Sequence, residues 1–420
     1  MAKPSVLIIN RVYPPLRGAT GRVLRDLSRG FAADGWDATI LTTGPKTLRR
    51  KENGIQIIRI KAPTNPRNMF EYGIVWMRLF MAATRLERRD LLVSMTDPPL
   101  LVVLGAMIAR MKKMRHMHWC QDLYPDLLLA FDMALPAFAQ NFLQSLSDKA
   151  LQSCDRVMVI GRCMGRRIAR KGVDKHKISM IPNWPDRELM QPHDVSGTAK
   201  NNYLKDFFAY TEPKFRILYS GTMGRAHPMD TVMDAARWLN DTNPEIEFVF
   251  VGDGKGHEEL ARKRDQWGLS NIRCIPWQPL SRLKSLMESG DIHLVSLLDD
   301  AAGMIVPCKL YSAFAVGRPV IFIGPSQSEA ARTITEYKAG KIVAQFESKE
   351  LIDAILDYRL NAESWYAAHE GAAEAGRIFQ PRELISAWIK RARSVVDRPK
   401  ENSQPKRDKK IDKDKFRGAA

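Results

Sequence analysis

Two stretches of this sequence bring cations next to backbone that an anion can approach closely. In the first, Tyr219-Ser220-Gly221-Thr222-Met223-Gly224-Arg225-Ala226-His227-Pro228, Arg225 and His227 flank two glycines between a strand-like run and a helical pattern. A guanidinium presents a planar fork of donors to phosphate oxygens, and glycines let backbone N–H groups reach the same ligand. In the second, Gly303 to Ile321, a loop enters a helix near Pro307 that stops at Gly317, and Lys309 falls in its first turn. A cation there opposes the helix dipole, so the placement costs stability unless an anion sits beside it. A diphosphate is an anion that such a helix start and Lys309 would hold together.

A third turn, Tyr13-Pro14-Pro15-Leu16-Arg17-Gly18-Ala19-Thr20-Gly21, also joins a strand to a helix, and Gly18 and Gly21 allow close approach to its N–H groups. Glycine turns of this kind also occur without a ligand. The absence of G-x-G-x-x-G disfavours a dinucleotide cofactor. Five cysteines, Cys120, Cys154, Cys163, Cys274 and Cys308, form no C-x-x-C pair, which argues against a disulfide framework or a zinc site and for a reducing compartment.

The elements that must position these turns are legible as one repeated grammar. Strand candidates Val6 to Ile9, Ala38 to Leu41, Ile55 to Ile60, Leu91 to Ser94, His116 to Trp119 and Arg156 to Ile160 alternate with helical stretches such as Arg22 to Asp34, Met69 to Arg88 and Leu100 to Lys113. A polar stretch, Pro182 to Pro213, has no period of either kind and reads as an interdomain connection. The grammar then restarts, with strand candidates Phe215 to Tyr219, Glu247 to Val251, Ile272 to Ile275, Ile292 to Ser296 and Pro319 to Ile323. Alternation of this kind predicts an α/β fold of two Rossmann-like domains whose crevice lies where strand C-termini face each other. The predicted division is 1–205, 206–379 and a disordered basic tail, 397–420; composition alone does not say where the amphipathic helix Pro381 to Val396 packs.

Charge narrows the partner. The chain has 420 residues and a formal net charge of +18. Up to Lys205 there are 33 basic and 17 acidic residues, against 23 and 25 from Asp206 to Val396. A basic half beside a neutral half predicts an anionic partner for the first: nucleic acid, a phosphate-bearing substrate or an acidic membrane surface. Nucleic acid is disfavoured, because aromatic residues are not interleaved with basic ones in any recognition motif. No transmembrane helix is predicted, since Asp97, Pro98 and Pro99 break the longest apolar tract, and the N-terminus lacks a signal-peptide pattern. A cytoplasmic location follows as the expectation.

These segments, with His118-Trp119-Cys120-Gln121-Asp122-Leu123-Tyr124-Pro125 and Ile181-Pro182-Asn183-Trp184, resemble the bacterial family 4 retaining glycosyltransferases of the O-antigen and exopolysaccharide branch. The resemblance spans about residues 5 to 395. It implies a GT-B fold: an acceptor domain, a nucleotide-sugar domain, a cleft between them, and a last helix, 380–396, crossing back to the first domain. It also implies sugar transfer with retention from a nucleotide sugar, a UDP-sugar, to a saccharide on a polyprenyl diphosphate at the inner face of the membrane. Such a carrier and an acidic leaflet favour a basic surface, for which Arg110, Lys112, Lys113 and Arg115, and Arg162, Arg166, Arg167, Arg170 and Lys171, are the candidates. No metal and no cofactor are implied, and the one Asp-x-Asp, Asp412-Lys413-Asp414, sits in the tail.

By the same resemblance Arg225, Lys309 and Asp122 are the catalytic candidates. Gly18, Gly221, Gly224, His227, Gly252, Ser312 and Glu329 are assigned to the donor, and Tyr13, His118 and Gln121 to the acceptor side. The sequence departs from the family where Glu-x7-Glu is usual: Met304 and Ser312 occupy those positions. The family's usual Arg and Lys of the glycine turn fall near Thr222 and His227, leaving Arg225 as the local cation, and the commoner His-Asp pair reads Gln121-Asp122. A catalytically silent saccharide-binding subunit is the rival that these departures motivate.

Overall fold

The structure, a computed structural model, describes residues 3–131, 133, 136–190 and 214–398. Its first half runs β1 (Ser5–Ile9), α1 (Ala19–Ala33), β2 (Asp37–Gly44), β3 (Leu48–Glu52), β4 (Ile55–Lys61), α2 (Met69–Arg85), β5 (Leu91–Ser94), α3 (Leu101–Lys112), β6 (Arg115–Cys120), α4 (Asp126–Ala130), α5 (Ala137–Ser153), β7 (Arg156–Val159), α6 (Arg162–Arg170) and β8 (Ile178–Met180). The strands form one sheet in the order β3-β4-β2-β1-β5-β6-β7-β8. Only β3 is antiparallel, paired to β4. The apolar runs Val6 to Ile9 and Leu91 to Val93 are buried on both faces, as the central strands of a helix-covered parallel sheet must be.

The second half runs β9 (Phe215–Ser220), α7 (Asp230–Thr242), β10 (Ile246–Val251), α8 (Lys255–Trp267), β11 (Ile272–Ile275), α9 (Leu283–Ser289), β12 (Ile292–Ser296), α10 (Lys309–Ala315), β13 (Val320–Ile323), α11 (Glu329–Tyr337), β14 (Gly340–Val343), α12 (Ser348–Leu360), α13 (Ala362–Ile378) and α14 (Pro381–Val396). Its parallel sheet has the order β11-β10-β9-β12-β13-β14, the Rossmann arrangement, with the switch point between β9 and β12. In the first sheet the equivalent point lies between β1 and β5. Ligands of open α/β sheets bind outside the strand C-termini at such points.

The last helix goes to the first domain. α13 packs on the second, with Gly371 against the Tyr337 carbonyl and Gly376 against that of Phe314. After Phe379 and Gln380 the chain turns, and Pro381 starts α14 at a position where its missing N–H costs nothing. Trp388, wholly buried, meets Phe31 of α1 with ring centroids 5.7 Å apart and Trp119 of β6 at 5.5 Å. Arg393 adds an ion pair to Asp34 at 2.7 Å.

Strands β3, β8 and β14 carry no readable apolar alternation and are absent from the sequence reading. All five residues of β3 are exposed, so pairing with β4 rather than burial makes it a strand. Asn183 and Trp184, read as linker, are fully buried, and Trp184 stacks on Trp119 at 5.7 Å. Residues 191–213 of the predicted connection, and the tail beyond residue 398, lie outside the described residues.

Candidate active site

The chemistry-bearing turns of the second domain converge on Lys309. Its ammonium donates to the Thr222 carbonyl at 3.3 Å, lies 3.3 Å from His227 Nε2, and sits 4.9 Å from the centroid of the Tyr219 ring. His227 Nδ1 is 2.7 Å from the Ser296 carbonyl, an acceptor only, so Nδ1 carries the proton and Nε2 accepts from the lysine. Burial pushes the His227 imidazolium pKa down to about 3, with Lys309 adding to the shift, which keeps the ring neutral. Burial also pushes the Lys309 ammonium down to about 8.

The glycines explain how the lysine reaches this place. A Cβ on Gly221, at φ +135°, would stand 2.7 Å from Lys309 Cε, and a Cβ on Gly252 would stand 2.3 Å from the Gly221 carbonyl oxygen. The β9 and β10 turns therefore nest against each other and over the lysine stem only as glycines. Helix α10 has only seven residues, so its dipole is a weak part of the account. What holds Lys309 is the set of groups at the end of β9.

Arg225 is exposed and reaches across the crevice to the Phe131 carbonyl at 3.1 Å. It does not stand beside Lys309 in the same network. Gly224 is exposed with open space around it. Ser312 lies half-buried one helical turn beyond Lys309, on the same face of α10. Met304, the other departure from Glu-x7-Glu, is buried in an apolar core shared by both domains, and its carbonyl accepts from Leu123 N at 2.9 Å. A carboxylate at this position would lose that apolar packing.

On the first-domain side, Asp122 follows β6 and accepts from Thr96 Oγ1 at 3.3 Å. Burial, reinforced by the nearby Asp97, pushes its carboxyl up to about 6. Asp97 itself is clamped by Arg11, Nε to Oδ1 at 2.6 Å and a second guanidinium nitrogen to Oδ2 at 2.9 Å. This fork joins the ends of β1 and β5 at the switch point. Asp122, His118, Thr96 and Tyr124 line one small cavity there. Arg11 and Asp97 escape a sequence reading because neither stands in a glycine turn; the Asp97-Pro98-Pro99 run after a strand is their one signal.

Three positions assigned by resemblance to the acceptor or donor have other neighbours. Tyr13 is buried, its hydroxyl 3.5 Å from Ser28 Oγ and its ring beside the Arg59 guanidinium, so it supports the β1 turn from within. Gln121 exchanges two hydrogen bonds with Asn183, at 3.0 and 2.7 Å, and Asn183 also donates to Cys308 Sγ of the second domain at 3.2 Å. Glu329 begins α11 and accepts from Arg162 N at 2.6 Å and Arg162 Nε at 2.8 Å. Both its oxygens are engaged by the first domain. Gly18 packs on Val12 at the start of α1, and His118 shares Ser94 Oγ with His116.

In the basic run of α6, read in sequence as a membrane contact, Arg162 and Arg167 turn to this interdomain seam, whereas Arg166 and Arg170 are exposed. Arg162 also pairs with Glu336 at 2.9 Å and Arg167 donates to the Ala302 carbonyl at 3.2 Å, while Lys171 pairs within the first domain, with Asp126 at 2.9 Å and Asp148 at 3.2 Å. The physical reason is position. α6 starts at the C-terminal end of β7, where the second domain closes on the first.

Two Rossmann-like domains facing across a crevice are the architecture of the GT-B glycosyltransferases. Solved structures of that class superpose on nearly the whole chain. Anabaena Alr3699/HepE in complex with UDP and glucose matches with a TM-score of 0.71 at 13% identity, over 93% of this chain and 100% of that one. WaaG, a glycosyltransferase involved in lipopolysaccharide biosynthesis, matches with a TM-score of 0.67 at 16% identity, over 94% and 100%. In sequence, residues 18–184 match the glycosyl transferase 4-like domain and residues 214–360 the glycosyl transferases group 1 domain. The putative colanic acid biosynthesis glycosyl transferase WcaI of Escherichia coli is 25% identical over 374 residues, 83% of this chain and 90% of its own. The probable glycosyltransferase WbjE of Pseudomonas aeruginosa is 24% identical over 260 residues, 61% and 63%. The chain belongs to the glycosyltransferases of this GT-B type.

Proposed function

We propose that this glycosyltransferase moves a sugar from a UDP-sugar to a lipid-linked saccharide, a polyprenyl diphosphate carrier, with retention, in cell-surface polysaccharide synthesis at the inner face of the membrane. The observation that carries the reading is the placement of the Lys309 ammonium at the end of β9, held by His227 and roofed by Gly221. A diphosphate leaving group gains charge as the sugar departs, and a preorganised cation in a partly desolvated site stabilises that charge more than water does. Support for the donor class comes from HepE, whose structure contains UDP-glucose, and for the pathway class from WcaI and WaaG. Asp122 faces the acceptor side, where a carboxyl of raised pKa orients a sugar hydroxyl. Thermal shift with a panel of nucleotide sugars tests the reading, since a donor at 100 times its Kd stabilises by about 2.7 kcal/mol. Absence of any shift together with absence of turnover would favour the silent subunit.

Two predictions belong here. With Ser312 in place of a carboxylate, the donor ribose meets a neutral hydroxyl, and Ser312→Ala should raise the donor KM by a factor of about 2 to 10, the worth of one ordinary hydrogen bond. A larger collapse in steady-state kinetics would give this hydroxyl a role in the chemical step. The second concerns pH. Lys309 is cationic below about 8 and neutral above it, so donor affinity should fall as pH rises through that value. A bound diphosphate moves the midpoint upward, because an adjacent anion favours the charged form. Lys309→Arg, which stays charged, should abolish that alkaline limb in a titration of donor binding; a limb that persists would belong to another group.

A further inference from the structure

Large apolar side chains stand in solvent on three neighbouring helices of the first domain. Phe70, Met77 and Met81 of α2 are 77%, 51% and 40% exposed, Met107 and Met111 of α3 42% and 60%, and Phe138 of α5 78%. α3 packs against both α2 and α5, so these residues belong to one side of the domain. In α2 the pattern is unusual for a surface helix. Val75, Leu79 and Ala83 face the core, while Met69, Gly73, Met77 and Met81, spaced by four, make an equally apolar stripe on the exposed face. Monomeric soluble proteins rarely gather exposed apolar side chains this way without a partner.

Charge identifies the partner. Arg67, Arg78, Arg85 and Arg88 surround the stripe and Arg110 follows Met107, against Glu71 and Glu87. A second copy placed face to face would set one basic collar against another, which like-charge repulsion opposes. A bilayer containing acidic lipid satisfies both features, since its headgroups attract the arginines and its acyl boundary accepts Phe and Met. We propose that the exposed face of α2, α3 and the start of α5 is the surface by which this enzyme docks on acidic membranes. The inference rests on the reading that the acceptor is lipid-borne, and it assigns the contact to these helices instead of to α6.

The geometry fits the crevice. Arg11, whose guanidinium clamps Asp97, also donates to the Thr64 carbonyl at 2.6 Å, five residues before α2 begins. The segment that leads into α2 is therefore tied to the switch point beside the cavity lined by Asp122.

Sedimentation of the full chain with vesicles tests the proposal, using phosphatidylcholine alone and an equal mixture with phosphatidylglycerol. The protein should partition to the mixed vesicles and less at high salt. The triple variant Phe70→Ser, Met77→Ser, Met111→Ser should lose at least about tenfold of that partition, with its Tm kept because all three side chains are already in water. Arg166→Gln with Arg170→Gln in α6 should change it little. Wild-type partition by the triple variant, or loss confined to the α6 variant, would overturn the proposal. So would a concentration-dependent dimer that the triple variant dissolves. Turnover of a nucleotide sugar measured without vesicles separates the two readings: binding without turnover sinks the enzymatic reading alone, and turnover without binding sinks the docking surface alone.

Discussion

Lys309→Ala is expected to lower the turnover number by about two orders of magnitude, the ~3 kcal/mol that one preorganised contact to transition-state charge supplies. The donor KM should move less, because the charge on the bridging oxygen grows as the bond to the sugar breaks. Folding stability should hold, since the ammonium is partly desolvated by its surroundings and its removal relieves that cost. His227→Ala is the informative companion. It leaves the lysine in place but removes the imidazole acceptor 3.3 Å away, so it should give a smaller fall in turnover. Arg225→Ala, with its exposed side chain tied to the Phe131 carbonyl, should fall below both. Steady-state kinetics with near-normal rates for Lys309→Ala would place the diphosphate elsewhere.

Trp388→Ala should destabilise the protein by about 3–5 kcal/mol in urea unfolding, the range for deleting a fully buried large aromatic side chain. Trp388 is 0% exposed, and its ring packs with Phe31 and Trp119, which continues into Trp184. Trp388→Phe should cost much less, because the indole Nε1 has no hydrogen-bond partner in the structure and the ring packing is mostly kept. Activity is expected to suffer as well. α13 belongs to the second domain and α14 to the first, so loosening α14 frees the domains to shift around the crevice. A loss below about 1 kcal/mol for Trp388→Ala would mean that the site collapses around the deletion.

The strand-turn-helix grammar was legible in sequence because central parallel strands are short β-branched runs buried on both faces, and the glycine turns follow them at fixed offsets. Lys309, His227 and Gly221 were candidates on residue type and position, and Asp122 by resemblance. Two Rossmann-like units, their approximate extents and a basic first half follow from local pattern and composition, which need no contacts to be read. Contacts between residues far apart in the chain were not legible. That Gln121 closes on Asn183 and that Lys309 leans on a histidine 82 residues earlier are decided as each domain assembles, and that Glu329 engages Arg162 over 167 residues is decided when the two domains meet. The same holds for Arg162 and Arg167 of α6, which periodicity places on a helix but only packing turns toward the seam. Local sequence determines which way a helix can be amphipathic; whether its second face meets another domain, solvent or a membrane depends on what the fold brings beside it, and for α6 and α2 the answers differ.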